Sequence, residues 1–328
     1  MANIHQIAER AGVSVATVSR VLNNAPTVSP KTRSKVESAI KELNYQPSML
    51  GRNLRNSESR LILVLLPTFS NPFYSEIING IQDTVIAKGY NILLCETDSR
   101  PERENIYFNM VKNKLADGVI SMDPTINMKK LKELAESHPV ILCSEYEEGG
   151  CIPYVTVDSE LAAYQAVKHL IQLGNEKIAL INSDEKFLYA RQRRAGFERA
   201  LKEFSLPIRE EWIYHTKGLD FQHGVHAMRM ILQQEEKPTA VFAVSDTLAI
   251  GALKAINMEL RAMEPIAVVG FDNISFSSMT NPTLTTVSQP MYNMGCTAAD
   301  MLLNSMKGER VENIVLDHEL IIRESTMG

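Results

Sequence analysis

A short segment near the start of the sequence carries side chains suited to reading base pairs. Ser14 is followed by VATVSRVL, and helical spacing predicts that Val15, Ala16, Ser19 and Arg20 lie on the exposed side of a helix. Apolar side chains such as Val15 and Ala16 can contact a thymine methyl group, and the guanidinium of Arg20 matches guanine O6 and N7 in the major groove. These residue types in this order predict a DNA-reading helix.

The elements that must position this helix can be predicted from the residues on either side. A helical stripe of apolar residues stops at Gly12, which predicts the end of a first helix. Ser14 then offers an N-cap hydroxyl to the second helix. Ser29 and Pro30 open a third helix, whose predicted inner face consists of Val36, Ile40 and Leu43. Two helices joined by so tight a turn and braced by a third predict a helix-turn-helix.

The charge distribution separates this N-terminal part from the rest of the chain. Residues 1–60 hold nine basic and four acidic side chains, a net charge of +5, whereas the other 268 residues carry −10. A basic head on an acidic body favours a polyanionic partner for the head. Charge alone leaves open a merely solvated surface, so the prediction of DNA binding depends on the order of the residues.

Length and composition limit the class of protein. At about 150 residues per domain, 328 residues suggest about two domains. No stretch approaches the ~20 apolar residues of a membrane helix, and MANIHQIAERAG lacks the apolar core of a signal peptide. We therefore expect a cytoplasmic, nucleoid-associated protein with no membrane partner. The four cysteines form no CxxC pair and are expected to be buried free thiols rather than a redox pair: Cys95, Cys143, Cys151 and Cys296.

After residue 60 the sequence alternates between strand-like and helix-like segments. The apolar run Leu61–Leu66 predicts a buried parallel strand, and the alternation restarts after Asp158. This pattern predicts two doubly wound parallel-sheet lobes with a ligand cleft between them. The predicted domains are a head (1–46), a linker (47–60) and a core (61–328), with one lobe at about 61–157 and 290–318 and the other at about 158–289 and 319–328.

Catalytic motifs are missing from this framework. The sequence contains no GxxxxGK[ST], HExxH or GxSxG, and no GxGxxG follows the first strand. His223 and His226 lie three residues apart near Asp220, which could place metal ligands on one helix face, but no further ligand run accompanies them. We therefore expect a non-enzymatic protein without a metal or cofactor.

The head and the core both resemble one known family. IHQIAERAGVSVATVSRVLNN and VSPKTRSKVESAIKELNYQPS resemble the DNA-binding head of the lactose/galactose repressor (LacI/GalR) family. SNPFYSEIINGI, RRAGFERAL, VVGFDN and LTTVSQP match its ligand core, which is similar to periplasmic sugar-binding proteins. The resemblance implies a small all-α helix-turn-helix head plus an α/β core of two doubly wound, periplasmic-binding-protein-like lobes.

The resemblance also implies contacts to DNA. In the family, the segment after the third helix folds into a hinge helix when two subunits meet on DNA, and a leucine wedges into the minor groove. Leu54 stands at the wedge position here, and Gly51 replaces the usual alanine, which costs about 1 kcal/mol in a helix. The alternative for residues 47–60 is a polar linker without DNA contacts. The implied DNA contacts are Ser14, Val15, Ala16, Thr17, Ser19, Arg20, Asn23, Arg52, Leu54 and Arg55.

Effector contacts are carried over residue by residue from the same resemblance. They are Phe73 and Tyr74 at the start of a helix, Arg193 before AGF, Ser245 at a strand-to-helix turn, and Asp272 after the strand AVVGF. Asp246 is expected to cap its helix. Leu219 stands where many relatives place an aromatic residue, which predicts a weaker stacking platform on that side.

Taken together, the sequence predicts an effector-responsive transcriptional regulator, most simply a repressor. A homodimer would bind a palindromic double-stranded DNA operator, and a sugar, sugar phosphate or nucleobase would bind in the cleft. Some relatives respond to a phosphorylated carrier protein, which is therefore another possible partner. Two alternatives remain from the core alone: a solute-binding module of a transport system, and an enzyme acting on a small sugar or nucleoside.

Overall fold

The computed structural model describes residues 2–22, 25–45, 58–123, 128–259 and 265–327. The chain divides into two compact units: Met1–Ser59, which includes the predicted head, and Arg60–Gly328, called here the body. Within the described ranges, no helix is both long and apolar enough to cross a membrane.

The head contains a three-helix core. Its helices are α1 (Ile4–Ala11), α2 (Val15–Leu22) and α3 (Pro30–Glu42). Each helix contributes one fully buried side chain to a shared apolar cluster: Ile7, Val18 and Val36. The predicted boundaries are confirmed, because Gly12 ends α1 with φ of +66° and the hydroxyls of Ser14 and Ser29 accept hydrogen bonds from the first turns of α2 and α3.

The first lobe of the body is a six-stranded parallel sheet covered by helices on both faces. Its strands, in spatial order, are β11 (Ile314–Leu316), β5 (Tyr154–Val157), β4 (Val140–Cys143), β3 (Gly118–Ser121), β1 (Leu61–Leu66) and β2 (Asn91–Glu96). The helices of this lobe are α4 (Phe73–Ile86), α5 (Pro101–Lys112), α6 (Met128–Ala135) and α11 (Met291–Met306). α4 and α11 contribute to one apolar cluster, and α5 and α6 to the other. The continuous apolar run of β1 follows from burial on both faces.

The second lobe repeats this architecture with one difference. Its strands, in spatial order, are β12 (Glu319–Ile321), β10 (Thr285–Ser288), β9 (Ala267–Asp272), β8 (Ala240–Ala243), β6 (Ile178–Asn182) and β7 (Ile213–His215). Its helices are α7 (Ser159–Gln172), α8 (Leu188–Glu203), α9 (Phe221–Leu232) and α10 (Asp246–Glu259). β12 runs antiparallel to β10, so the prediction of a wholly parallel sheet is wrong at this edge.

The chain passes between the lobes three times. It leaves the first lobe after β5, returns at α11, and crosses once more between β11 and β12. The connection from β11 to β12 contains only residues 317–318. Each lobe is therefore assembled from segments that are distant in sequence.

Two of the four thiols are buried as predicted. Cys95 and Cys143 are buried, and desolvation raises the pKa of each thiol to about 12, which suppresses the reactive thiolate. Cys296 is half-buried. Cys151 is exposed, so the prediction that it is buried is wrong; it lies in the loop between β4 and β5 rather than in an apolar run.

Two glycines let α11 pack closely against α4. A Cβ atom on Gly80 would stand 2.1 Å from the carbonyl oxygen of Tyr292, and one on Gly295 would stand 2.0 Å from that of Ile77. Both distances are far inside van der Waals contact, so neither position accepts a side chain without moving backbone. The two glycines therefore let α11, the last helix of this lobe in sequence, pack directly on α4, the first.

We expect Gly295→Ala to destabilise the body. The added methyl group must push α11 away from α4, and overpacking of this kind costs about 1–3 kcal/mol. Urea unfolding followed by circular dichroism should show this loss in the free energy of unfolding. Ser75→Ala, at an exposed position of α4, is the control and should change it little. Equal stabilities of the two variants would contradict the close packing.

Candidate functional site

A cavity of about 780 Å³ lies where the two lobes face each other. Its walls come from the segments that follow β1, β3 and β4 in the first lobe and β6, β7, β8 and β9 in the second. Parallel strands present their carboxyl ends at one edge of a sheet, and in open α/β folds that edge is where ligands bind. The two sheets therefore offer their binding edges to one shared space.

Aromatic rings form much of the cavity wall. The lining includes Tyr74 from the first lobe and Phe187, Tyr189, Phe221 and Phe276 from the second. Phe187 and Tyr189 stack on each other with ring centroids 5.7 Å apart. Such faces suit the apolar side of a sugar ring or a planar base. The sequence interpretation missed the second-lobe rings, although all four lie in or just after connections that follow strands.

Leu219 lines the cavity on the second-lobe side and has no ring, but two aromatic side chains lie on the same side. Phe221 begins α9 two residues later and is 38% exposed. Phe276 lies in the short helical turn after β9 and is 51% exposed. The expectation of a weak platform is therefore corrected, because neighbouring positions supply the aromatic surface.

Only one of the two aromatic residues predicted at the start of α4 faces the cavity. Tyr74 lines it, whereas Phe73 is buried in the apolar cluster of the first lobe and is 6% exposed. Consecutive helix residues point about 100° apart, so one side chain enters the core while the other faces the opening. The prediction that Phe73 faces the cleft is wrong.

Arg193 and Asp272 form a buried polar layer and are not part of the cavity lining. The guanidinium of Arg193 donates to the Val244 carbonyl at 2.5 Å, lies 3.8 Å from an Asp272 oxygen, and covers the Phe271 ring. Gln289 donates to Asp272 at 2.7 Å. Burial raises the pKa of Asp272, and Arg193 opposes that rise. Direct contact of these residues with an effector stays a prediction.

The turn between β8 and α10 differs from the sequence interpretation. Ser245, 1% exposed, caps α10, because its hydroxyl accepts from the Leu248 N–H at 3.3 Å. The prediction that Asp246 is the cap is wrong. Its carboxylate is buried beside Gly270, where a Cβ would stand only 2.2 Å away, and accepts hydrogen bonds from Ile274 N–H, Ser277 and Thr286. Asp246 thus fixes the segment that carries Phe276.

Glu145, which sequence reasoning missed, connects the two lobes. It follows β4 of the first lobe and accepts from the N–H groups of Leu188 (3.0 Å) and Tyr189 (2.9 Å), the first residues of α8 in the second lobe. A carboxylate at a helix N-terminus is stabilised by free N–H groups and by the helix dipole. Beside it, Gln192 of α8 donates to the Tyr146 hydroxyl at 3.1 Å. These bonds join the two lobes beside the cavity.

Tyr74 lies among the acidic groups of both lobes. Burial raises the pKa of its phenol well above the usual value, and the nearby charge of Asp123 adds to that rise, followed by Tyr189 and Glu145. The phenol therefore stays protonated and can donate a hydrogen bond to a ligand.

The head presents part of the predicted DNA-reading surface. Ala16 and Arg20 are exposed on α2, and Thr17 and Ser19 are half-buried. Ser14 is exposed, but its hydroxyl is engaged as the cap. The prediction of exposure is wrong for Val15 and Ser19, which are both half-buried, and Val15 packs against the head core. The other predicted DNA contacts, and Gly51, lie outside the described residues: Asn23, Arg52, Leu54 and Arg55.

The histidines near Asp220 have structural partners. Asp220 caps α9 by accepting from the His223 N–H at 3.0 Å, and its other oxygen lies 2.9 Å from His223 Nδ1. His226 packs edge-on against Tyr214. Among the described residues, no three His, Cys, Asp or Glu side chains are grouped as metal ligands.

Comparison with known proteins agrees with this geometry along nearly the whole chain. Residues 3–48 match the model of bacterial regulatory proteins of the lacI family, and residues 59–324 match that of the periplasmic binding proteins and sugar binding domain of the LacI family. The chain belongs to the LacI family. The predicted fold class is confirmed, and family membership makes the chain a DNA-binding transcriptional regulator, not an enzyme.

Individual LacI-family members match over nearly their full length. Catabolite control protein A of Priestia megaterium is 36% identical, with 98% of each chain covered. The transcriptional repressor CytR of Escherichia coli K12 is 35% identical, with 99% of this chain and 96% of the relative covered. The crystal structure of the Lac repressor dimer bound to operator and the anti-inducer ONPF superposes with a TM-score of 0.89 at 28% identity, covering 100% of this chain and 99% of that one.

Glu145 should make the stability of the body depend on pH. Burial raises its pKa from the usual 4.5 to about 7, although both backbone hydrogen bonds oppose the rise. Folding therefore takes up a proton in this window, so the stabilisation is fully present below pH 4.5 and is lost as the pH rises through 7. We expect the free energy of unfolding to fall by about 1–3 kcal/mol more between pH 5 and 8 in the wild type than in Glu145→Gln.

Trp212, the single tryptophan, is buried in the second lobe and provides the fluorescence signal for these unfolding curves. Glu148→Gln, at an exposed position of the same loop, is the matched control and should keep the wild-type dependence. The same pH dependence in Glu145→Gln as in the wild type would show that Glu145 does not titrate in this window.

Proposed function

We propose that this chain is a dimeric, cytoplasmic repressor whose operator binding is controlled by a sugar that carries no phosphate, bound between the lobes. The observation that carries this proposal is the shared cavity with Glu145 connecting its walls. A ligand that contacts both lobes binds open and closed arrangements with different affinities, so it shifts the population between them. Operator affinity then changes through the same equilibrium.

The chemistry of the wall supports a sugar that carries no phosphate. Aromatic rings suit the apolar faces of a sugar, and buried carboxylates suit its hydroxyl groups. Four acidic side chains line the cavity against one lysine, Lys217: Asp123, Glu145, Asp184 and Asp220. This excess of acidic groups disfavours a phosphate. The family model that spans the body describes a sugar binding domain.

Arg193 and Asp272 stay in the proposal as effector contacts. They lie behind the residues that line the cavity, and we propose that polar groups of the effector reach them there. Nε of Arg193 is buried and has no hydrogen-bond partner among the described residues. A ligand oxygen that reached it would satisfy a donor that is otherwise costly to bury. Phe73 and Ser245 are not retained, since one packs in the core and the other caps a helix.

A dimer fits both the head and the body. One helix-turn-helix reads a few base pairs, so two heads on a palindromic operator with half-sites about one helical turn apart supply the needed specificity. The similar Lac repressor structure is a dimer bound to operator. On the body, edge strand β2 exposes Leu93 and Leu94, and α5 exposes Ile106. We propose that a second copy covers these apolar side chains, and that Leu54 and its flanking arginines enter the minor groove.

Arg20→Ala should weaken sequence-specific binding by about 1–3 kcal/mol and relax the preference at one base position, since an arginine that reads guanine makes two hydrogen bonds to it. Fluorescence anisotropy against an operator selected from a random library measures this loss. Lys254→Ala, which removes an exposed charge from the body, is the control. Equal losses of Arg20→Ala on selected and random duplexes would assign Arg20 to the phosphate backbone.

Phe221→Ala should weaken the bound sugar, because an aromatic contact contributes about 0.5–1.5 kcal/mol. The probe is the mono- or disaccharide that gives the largest thermal shift with the full chain, and calorimetry gives its Kd. Phe204→Ala is a matched control, since Phe204 is also 38% exposed but is not part of the cavity lining. Operator affinity without sugar should be unchanged in both variants. An unchanged Kd in Phe221→Ala would remove the ring from the site.

A further inference from the structure

Asp123 is a deeply buried carboxylate in the first-lobe wall of the cavity. It follows the carboxyl end of β3 and lines the cavity, yet it is only 1% exposed. The deep position means that its polar atoms are removed from bulk water. A group buried in this way must find its partners in the protein or in a ligand.

The protein satisfies only one of its two oxygens. Thr97 and Ser99 donate their hydroxyl hydrogens to Oδ2 of Asp123, at 2.7 and 2.9 Å. Oδ1 is buried and has no hydrogen-bond partner among the described residues. A buried acceptor without a hydrogen-bond donor costs folding free energy, and the cost is greater when the acceptor belongs to a charged group. Asp123 therefore lines the cavity with one acceptor oxygen that has no donor among the described residues.

A second buried carboxyl lies in the same region. Glu104, on the first turn of α5, is 1% exposed, and its Oε2 also has no hydrogen-bond partner in the described ranges. Burial and the charge of Asp123 together raise the pKa of Glu104 to about 7, which places the two groups within electrostatic reach. Burial raises the pKa of Asp123, and the hydrogen bonds from Thr97 and Ser99, followed by the charge of Lys186, oppose that rise.

The surroundings of Asp123 also favour positive charge. Tyr74 is close enough for the charge of Asp123 to raise its pKa, and aromatic rings of the second lobe line the same cavity. Aromatic faces attract cations by about 0.5–2 kcal/mol. A neutral hydroxyl could donate to Oδ1 but would leave the buried negative charge uncompensated, whereas an ammonium group supplies both the donor and the charge.

We propose, building on the sugar-binding function proposed above, that Asp123 is the subsite for a protonated amine and that the effector is an amino sugar. The ammonium group donates to Oδ1 of Asp123 in the first lobe. The sugar ring lies against the aromatic rings of the second lobe. One ligand thereby engages both walls of the cavity, through charge on one side and through stacking on the other.

The test uses the full chain and matched pairs of sugars. Glucosamine, galactosamine and the fully deacetylated chitosan disaccharide are compared with glucose, galactose and cellobiose, with glucose 6-phosphate as the anionic probe. Thermal shift finds the pairs that bind, and calorimetry at pH 7 gives each Kd. In at least one pair we expect the amine to bind about ten-fold or more tightly than its neutral partner, since a charge-assisted hydrogen bond replaces a neutral one.

Asp123→Asn keeps the shape of the side chain and removes its charge. We expect this variant to lose the preference for the amine while its melting temperature without ligand does not fall, because an uncompensated buried charge is removed. Asp300→Asn removes one exposed charge from α11 and should keep the wild-type preference. If Asp123 served only the fold, its variant would melt lower and keep the preference for the amine.

The outcomes separate this proposal from the one on which it rests. Neutral sugars that bind as tightly as the amines in every pair, or tighter binding of glucose 6-phosphate, would overturn the amine subsite; if the tightest ligand is an unphosphorylated neutral sugar, the proposed sugar function stands. An amine preference that survives in Asp123→Asn would also overturn it. If no sugar in the panel binds, charged or neutral, the sugar function itself falls.

Discussion

Glu145 caps a helix that belongs to the other lobe, and the geometry of the cavity depends on this contact. The free N–H groups at the start of α8 need acceptors, and the first lobe provides them. Because α8 begins directly after Phe187, the same two hydrogen bonds determine where the stacked rings of Phe187 and Tyr189 stand relative to Tyr74. The relation between the lobes is thus held by polar contacts at the site that a ligand would occupy.

Buried polar groups support the rest of the wall at a cost that the fold compensates locally. Asp246 has three donors and a glycine beside it that leaves room for its carboxylate. Arg193 has a carbonyl, a carboxylate and an aromatic face. Such groups add little net stability, but the hydrogen bonds that Asp246 accepts hold the loop after β9 in one arrangement. Stability comes mainly from the apolar clusters on both faces of each sheet, and the polar layer determines the shape of the site.

The sequence predicts elements well wherever local chemistry decides. Gly12, Ser14 and Ser29 mark helix ends because caps and left-handed turns are local, and the run Leu61–Leu66 indicates a strand buried on both faces. The sequence does not identify a capping residue correctly where two adjacent side chains could both cap the helix. Ser245 and Asp246 can both cap a helix, and tertiary donors that no local pattern shows take the aspartate away. The role of Glu145 depends on a helix more than 40 residues later, so spacing could not indicate it.

The order in which the chain builds its lobes has a consequence for folding on the ribosome. α4 and α11 cover the same apolar face of the first sheet. α11 is made only after all the strands and helices of the second lobe apart from β12. Until then, part of that face has no helix to cover it, and exposed apolar surface of this kind promotes aggregation. The sheet of the second lobe is likewise incomplete until its edge strand β12 has been made. Neither lobe is complete until α11 and β12 have been made, so the nascent body depends on protection while the preceding elements are translated.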